Sequence, residues 1–310
     1  MAKMDTQRLA PDASGTGNAA RILTGGGLVA FPTETVYGLG ADARDGTAVA
    51  RIYAAKGRPA FNPLIVHVAD LDQARRYGVF DAKLTELAAK FWPGPLSLVV
   101  PLAAGHGLSP LVTAGLNTVA LRVPAHPLAR ALLAEADAPI AAPSANPSGR
   151  ISPTTADHVL AGLTGKIDAV LDGGACAVGL ESTILGGNPL ALLRPGGVAK
   201  EDIEAITGPL AQAGQAISAP GQLASHYAPS ATLRLGAEQA RPDEVLLGFG
   251  AMPCDLNLSA ASDLIEAAAN LFGHLHTLDA LGQPIAVAPI PETGLGRAIN
   301  DRLRRAAAPR

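Results

Sequence analysis

A chain of 310 residues that is 48% hydrophobic is long enough for about two domains of roughly 150 residues, each able to bury a core. Its formal net charge of −3 exerts no global pull on nucleic acid or anionic membrane, so any anion site must be a local cluster of basic side chains. Two distant cysteines, Cys176 and Cys254, argue against a disulfide framework or a zinc site and fit a reducing, cytoplasmic setting.

The first 20 residues lack the apolar stretch of a signal peptide, and no run is long enough to span a membrane. A helix is expected at Asn18 to Thr24, leading through three glycines into the strand candidate LVAF. Pro32 should end that strand and leave Thr33, Glu34 and Thr35 of PTETVYGLG on a strand-to-helix turn, with hydroxyls able to bind a polar ligand. GLGADA fits G-x-G-x-x-[GA], but it follows a turn and not a strand, which argues against a dinucleotide fold. Helical periodicity follows at Thr47 to Lys56 and Asp81 to Phe91, with strand-like LIVHV, LSLVVPL, VALRV and API, an alternation that indicates a layered α/β or α+β domain.

Between the first of these helices and LIVHV, KGRPAFNP ends the helix at Pro59. Lys56 can complement the helix dipole there, while Arg58, Asn62 and His67 come within reach of one pocket where two cations could neutralise a triphosphate. No G-x-x-x-x-G-K-[ST] occurs, so a bound nucleotide must be held by scattered side chains. In NTVALRVP, alternation puts Thr118, Ala120 and Arg122 on one strand face. Arg122 among apolar neighbours needs a partner if buried, and a ligand anion or an Asp or Glu elsewhere would serve equally.

PSANPSGRISPTTADHV contains its own helix start, with Ser152 before Pro153, or Thr154 before Asp157, as the cap. Ser144 and Asn146 have no such local use, which favours ligand contact, and Thr154 near a helix N-terminus can also face phosphate. GLEST enters a strand with Ser182, and Arg194 before Pro195 is held extended. From Gly208 to Pro229 the composition is that of a linker, in which His226 and Tyr227 are a docking anchor or a lid. Beyond it, strands ATLRLG, EVLLGFG and IAVAPI alternate with helices at Ala260 to Thr277 and Gly296 to Ala306, a small doubly wound unit. The close pair His274 and His276 lies on different faces of its helix and gives no metal-binding spacing.

The polar clusters at 32–40, 56–67, 117–127, 143–155, 179–183 and 194–197, in this order and at these separations, resemble the threonylcarbamoyl-AMP synthase family. Its catalytic unit is the YrdC-like domain, and the resemblance covers about residues 20–210. PGQLASHYAP at 220–229 followed by a further domain is similar to the longer, two-domain branch. The resemblance implies an α/β fold: a twisted open mixed sheet with helices at 18–207, a linker or lid at 208–229, and a smaller Rossmann-like α/β domain at 230–310.

It further implies synthesis of threonylcarbamoyl-AMP and pyrophosphate from L-threonine, bicarbonate and ATP, a nucleotidyltransferase reaction that supplies the threonylcarbamoyladenosine modification of tRNA to downstream transfer machinery. Carried over to this sequence, Thr35, His67, Arg122 and Ser182 fall on the threonine side, and Arg58, Asn62, Thr118, Ser144, Asn146, Thr154, Arg194 and Tyr227 on the ATP side. Lys56 and Arg58 become the catalytic candidates near the phosphates. Mg²⁺ is expected with ATP, with no protein ligand evident. Two alternatives remain: a carbamoyl-transfer module of hydrogenase maturation, which normally sits beside paired C-x-x-C fingers absent here, and a non-catalytic double-stranded RNA binder.

Overall fold

The computed structural model describes residues 5–59, 61–212, 214 and 226–309, so most of the expected linker, residues 213 and 215–225, lies outside the described residues, as do residues 1–4 of the polar start. The first part of the chain runs β1 (Gln7–Leu9), α1 (Ala13–Thr24), β2 (Val29–Phe31), β3 (Gly38–Asp42), α2 (Gly46–Lys56) and β4 (Ile65–His67). It continues with α3 (Leu71–Arg75), α4 (Ala82–Phe91), β5 (Leu96–Pro101), α5 (Pro110–Thr113), β6 (Thr118–Arg122), α6 (Pro127–Ala136) and β7 (Ile140–Ala141). Then come α7 (Ala156–Leu163), β8 (Ala169–Leu171), β9 (Thr183–Gly186), β10 (Ala191–Arg194) and α8 (Lys200–Thr207).

These strands form one mixed ten-stranded sheet, in the order β1-β8-β2-β3-β7-β4-β6-β5-β9-β10. Two local expectations are corrected. The GLGAD segment is strand β3, antiparallel to β2, where a turn into a helix was expected: the turn is confined to residues 32–37. Helix α1 starts well before Asn18, because the Asp12 carboxylate caps the Gly15 amide.

Alternation along the strands decides what each face meets. Ala30, Val66, Leu98, Leu121 and Val170 point to the main core, which α2, α4, α5, α7 and α8 cover. On the opposite face, α1 and α6 pack on Val29, Phe31, Ile140, Ala169 and Leu171, and so cover only the β1 to β7 half. The remaining half of that face, from β4 to β10, carries a small apolar patch of Ile65, Val99, Ala120 and Ile184, and no helix of the described residues belongs to it. His67 and Arg122 share strand parity with Ile65 and Ala120, so they project from this half.

The second unit is β11 (Leu233–Leu235), β12 (Val245–Gly248), β13 (Leu256–Asn257), α9 (Leu264–Asp279), β14 (Ile285–Val287) and α10 (Gly296–Ala307). Its four strands are all parallel, in the order β11-β14-β12-β13. Its core does not stop at the domain boundary. Val36, Ile151, Leu180 and Tyr227, which sit beside Thr35, Ser152, Glu181 and His226, are part of the same apolar cluster as Leu271, Phe272 and Ile299. Gly179, at φ +72°, lets the GLEST loop lie against α9; a Cβ there would stand 2.4 Å from the Ala268 carbonyl oxygen.

Candidate active site

A cavity opens on the β4 to β10 half of the sheet, and ten of the residues picked out in the sequence line it: Thr33, Thr35, Arg58, His67, Arg122, Ser144, Ser182, Arg194, His226 and Tyr227. His67, Arg122 and Arg194 end strands, Thr35 and Ser144 follow them, Ser182 directly precedes β9, and Arg58 follows α2, so segments far apart in sequence converge at one edge of the sheet. Sequence reasoning missed other parts of the wall, namely Val36, Ile65, Ala142 and Pro143. Ile65 was within reach of the strand alternation that places His67, while the small residues carry no chemical signal.

The remaining candidates are placed elsewhere. Lys56 is buried because it continues the inward helical stripe of Val49, Ile52 and Tyr53 on α2. Its ammonium donates to the carbonyls of Ser144 (2.6 Å) and Asn146 (2.5 Å). Burial, then the charge of Arg58, pushes that ammonium well below its ordinary range. Lys56 therefore holds the 144–146 turn from behind and is not itself part of the cavity wall.

Asn146 is tied into the same turn, its amide donating to the carbonyls of Pro147 and Arg150. Asn62 supplies its carbonyl to Tyr53 and Arg58, and its side-chain oxygen is buried without a hydrogen-bond partner among the described residues. Thr154 contacts His158, and the cap of α7 is Thr155, not Ser152 or Thr154. Thr118 lies at the opposite end of β6 from Arg122, about 13 Å away along the same face. It lines a second cavity with Val99, Asn188 and Leu190.

Charge in the site is organised by two buried carboxylates. Glu34 accepts from Arg122 Nη2 at 2.7 Å and from the Ala125 amide at 3.0 Å, so the partner Arg122 requires is an acid 88 residues away. Glu181 accepts from Arg302 Nε at 2.7 Å and from the Ser152 hydroxyl. Burial would raise the Glu181 carboxyl, but Arg302 and Arg194 outweigh it and hold it below its ordinary range. Arg194 donates to the Ser182 carbonyl at 2.8 Å and to its hydroxyl at 3.2 Å, and Ser97 bonds that hydroxyl at 2.7 Å. Residues expected on opposite ligands thus touch each other.

Arg58 differs from these arginines. It is buried, and among the described residues no carboxylate pairs with it; its guanidinium meets the carbonyls of Asn62 and Pro63, at 3.1 to 3.4 Å, and the Tyr53 hydroxyl. Burial lowers it to about 10. Next to it, three cavity residues hold buried polar atoms with no hydrogen-bond partner among the described residues: His67 Nδ1, His226 Nδ1 and the Tyr227 hydroxyl. Native proteins rarely leave such atoms orphaned, so their grouping round one cavity points to water or a ligand within it as their partner. His226 and Tyr227 form its outer wall: the His226 amide donates to the Arg305 carbonyl, and the Tyr227 ring packs on Phe272.

Burial keeps both histidines neutral, lowering His67 and His226 to about 3. The unfolded chain binds those protons below about 6.5, so between pH 6.5 and 3 it carries more protons than the folded protein and stability falls as pH falls. Each histidine contributes a slope of about 1.4 kcal/mol per pH unit. Urea unfolding at several pH values in this window should show a distinctly shallower dependence for His67→Gln, and an unchanged slope would place His67 in a solvated environment.

A sheet face walled by buried guanidinium groups and unsatisfied polar atoms, and closed by a second α/β domain, defines a two-domain α/β protein with an enclosed polar cavity. Residues 21–196 match the family described as telomere recombination, and residues 198–308 match that described as threonylcarbamoyl-AMP synthase, C-terminal domain. A threonylcarbamoyl-AMP synthase of Bacillus subtilis is 42% identical over 94% of this chain and 92% of its own length. One from Pyrococcus abyssi is 41% identical over 93% of both. The crystal structure of P. abyssi Sua5 complexed with L-threonine superposes with a TM-score of 0.88 at 38% identity, covering 97% of each chain. The chain belongs to the threonylcarbamoyl-AMP synthase family.

Membership extends through the second domain, which separates this chain from the hydrogenase-maturation alternative. The RNA-binding alternative needs unengaged basic side chains, yet on the Arg-rich helix α10, Arg297, Arg302, Arg304 and Arg305 all bond carboxylates. No helix of the described residues is long and apolar enough to cross a membrane.

Proposed function

We propose that this protein is a nucleotidyltransferase of the cytoplasm that forms threonylcarbamoyl-AMP and pyrophosphate from L-threonine, bicarbonate and ATP, for transfer to tRNA by downstream machinery. The observation that carries the reading is the pairing of Arg58, a buried cation with no carboxylate partner among the described residues, with the orphaned polar atoms of the same cavity. Family membership and a threonine-bound relative supply the substrates.

In this reaction the threonine nitrogen attacks the bicarbonate carbon, water leaves, and a carbamate forms. A carbamate oxygen then attacks the α-phosphorus while pyrophosphate departs. No covalent enzyme nucleophile is required, so the protein's work is to position reactants and neutralise charge. The Thr35 and Ser182 hydroxyls and the Arg122 guanidinium suit the amino acid, with His67 kept neutral beside them. Arg58, Arg194, Ser144 and Tyr227 suit the nucleotide, and Lys56 acts on it indirectly by fixing the turn that presents Ser144.

Among the described residues no group of three His, Cys, Asp or Glu side chains could hold a metal ion, and Glu181, which lines the cavity, is already bonded to Arg302 and Ser152. Mg²⁺ would therefore enter on the triphosphate, where it would neutralise phosphate charge, with water and phosphate oxygens as its ligands.

The test is pyrophosphate release from ATP and bicarbonate with L-threonine, L-serine, L-valine or no amino acid. Release that depends on L-threonine is the expected result; intact ATP in every reaction would refute the reading.

A further inference from the structure

We propose that Arg302, on the last helix of the second domain, is a positioning residue for catalysis in the first domain, holding three separate segments of the active-site wall in one arrangement. Its side chain is 1% exposed. Nε donates to Glu181 Oε2 at 2.7 Å, which fixes the residue before Ser182. Nη2 donates to the Pro195 carbonyl at 3.0 Å, which fixes the residue after Arg194. The guanidinium carbon lies 4.9 Å from the centre of the Tyr227 ring, within cation–π range. Asp301 accepts from Nη1 at 2.7 Å and is itself paired with Arg305.

Two of the segments already bond each other, through the Gly197 amide to the Glu181 carbonyl at 3.0 Å and Arg194 to the Ser182 carbonyl at 2.8 Å, and Arg302 ties the Tyr227 segment to that pair. Tyr227 has a left-handed backbone, φ 64°, which a tyrosine adopts only when its surroundings impose it. The 181–183 and 194–197 segments meet backbone to backbone: a Cβ on Gly196 would stand 2.3 Å from the Glu181 carbonyl oxygen. At that separation a small shift of either segment displaces Ser182 and Arg194 together. A planar fork of five donors can serve a carboxylate, a carbonyl and a ring face at once, whereas an ammonium presents a point charge. The second domain thus acts on the reaction through a side chain that touches no substrate.

The inference rests on the adenylyl-transfer reading for what is positioned, but the contacts are independent of it. The test compares wild type, R302K, R302Q and E181Q/R302Q by pyrophosphate release, by calorimetric ATP affinity and by thermal unfolding. R302K, which keeps the charge opposite Glu181, should remain folded with kcat/KM for ATP reduced about tenfold, and R302Q should lose about 100-fold, the scale of an ångström-level misplacement. Without Arg302, Glu181 loses its main counter-charge, so R302Q should gain a rise of kcat/KM with pH that is missing from E181Q/R302Q; a purely structural role would not produce that difference.

If R302Q does not fold, the neutral pair E181Q/R302Q decides: folded but at least about tenfold impaired supports positioning, and wild-type kcat/KM overturns it. R302K with wild-type kinetics overturns it equally. A wild-type protein with no threonine-dependent release would defeat the functional reading alone, because ATP affinity across the same variants still reports on Arg302.

Discussion

Arg58→Met should yield a protein more stable than its parent and close to inactive. Arg58 is enclosed at the cavity with neutral partners, backbone carbonyls and the Tyr53 hydroxyl, among the described residues, and burial has already lowered it to about 10. A buried cation without a carboxylate lacks the Coulombic return that offsets its desolvation, so an apolar side chain of similar length should add about 1 to 3 kcal/mol to stability. The same charge is what a developing negative charge on transferring phosphate would meet, in a site shielded from water, and its loss should lower kcat/KM by about 10³-fold. Urea unfolding with and without ATP, alongside pyrophosphate release, reads both effects. An Arg58→Met protein that is less stable and still active would show that the arginine serves the fold.

Stability gained as activity is lost separates a residue selected for chemistry from one selected for packing. Lys56 makes the contrast clear. Its cluster neighbour Arg58 shares its charge and location in the sequence, yet Lys56 is satisfied by two backbone carbonyls behind the wall. The family resemblance put both near phosphate; only the helical phase of α2, which turns Lys56 inward with Ile52 and Tyr53, distinguishes their roles.

What could be read from sequence follows the range of the physics. Strand parity is local, and it correctly put Arg122 on the face opposite Leu121 and Val123. Strand ends marked by Pro32 and Pro195 located two of the site segments. Strand β3 was hidden because its glycines read as a turn, although its place beside β2 and β7 is what makes it a strand. The partners of the buried charges could not be seen. Glu34 and Arg122 are 88 positions apart, and Glu181 and Arg302 are 121 apart. No local pattern records such a pairing: it exists only because β6 delivers one residue to the turn after β2, and α10 delivers another to the GLEST loop. The second domain likewise read as a separate small unit, whereas its core includes residues from the active-site loops.

Glu34→Ala should be the most destabilising single change at the site, by about 3 to 5 kcal/mol, because it strands a buried guanidinium instead of removing one. The two side chains are only 10% and 4% exposed, and the carboxylate also satisfies the Ala125 amide at the start of the loop into α6. Loss of the acid leaves Arg122 with the Gly94 carbonyl at 3.2 Å and exposes that amide's unmet demand within the protein. The double variant Glu34→Leu/Arg122→Met, which takes both charges out, should recover most of the loss, since replacing a buried pair by apolar groups of similar size is often neutral. Urea unfolding of the two proteins separates the cost of an orphaned charge from the worth of the pair; equal destabilisation would mean the pair itself supplies the stability. L-threonine sharpens the result. If its carboxylate binds Arg122, the ligand should stabilise Glu34→Ala by more than it stabilises the wild type, because in the variant it replaces the missing anion as well as filling the site.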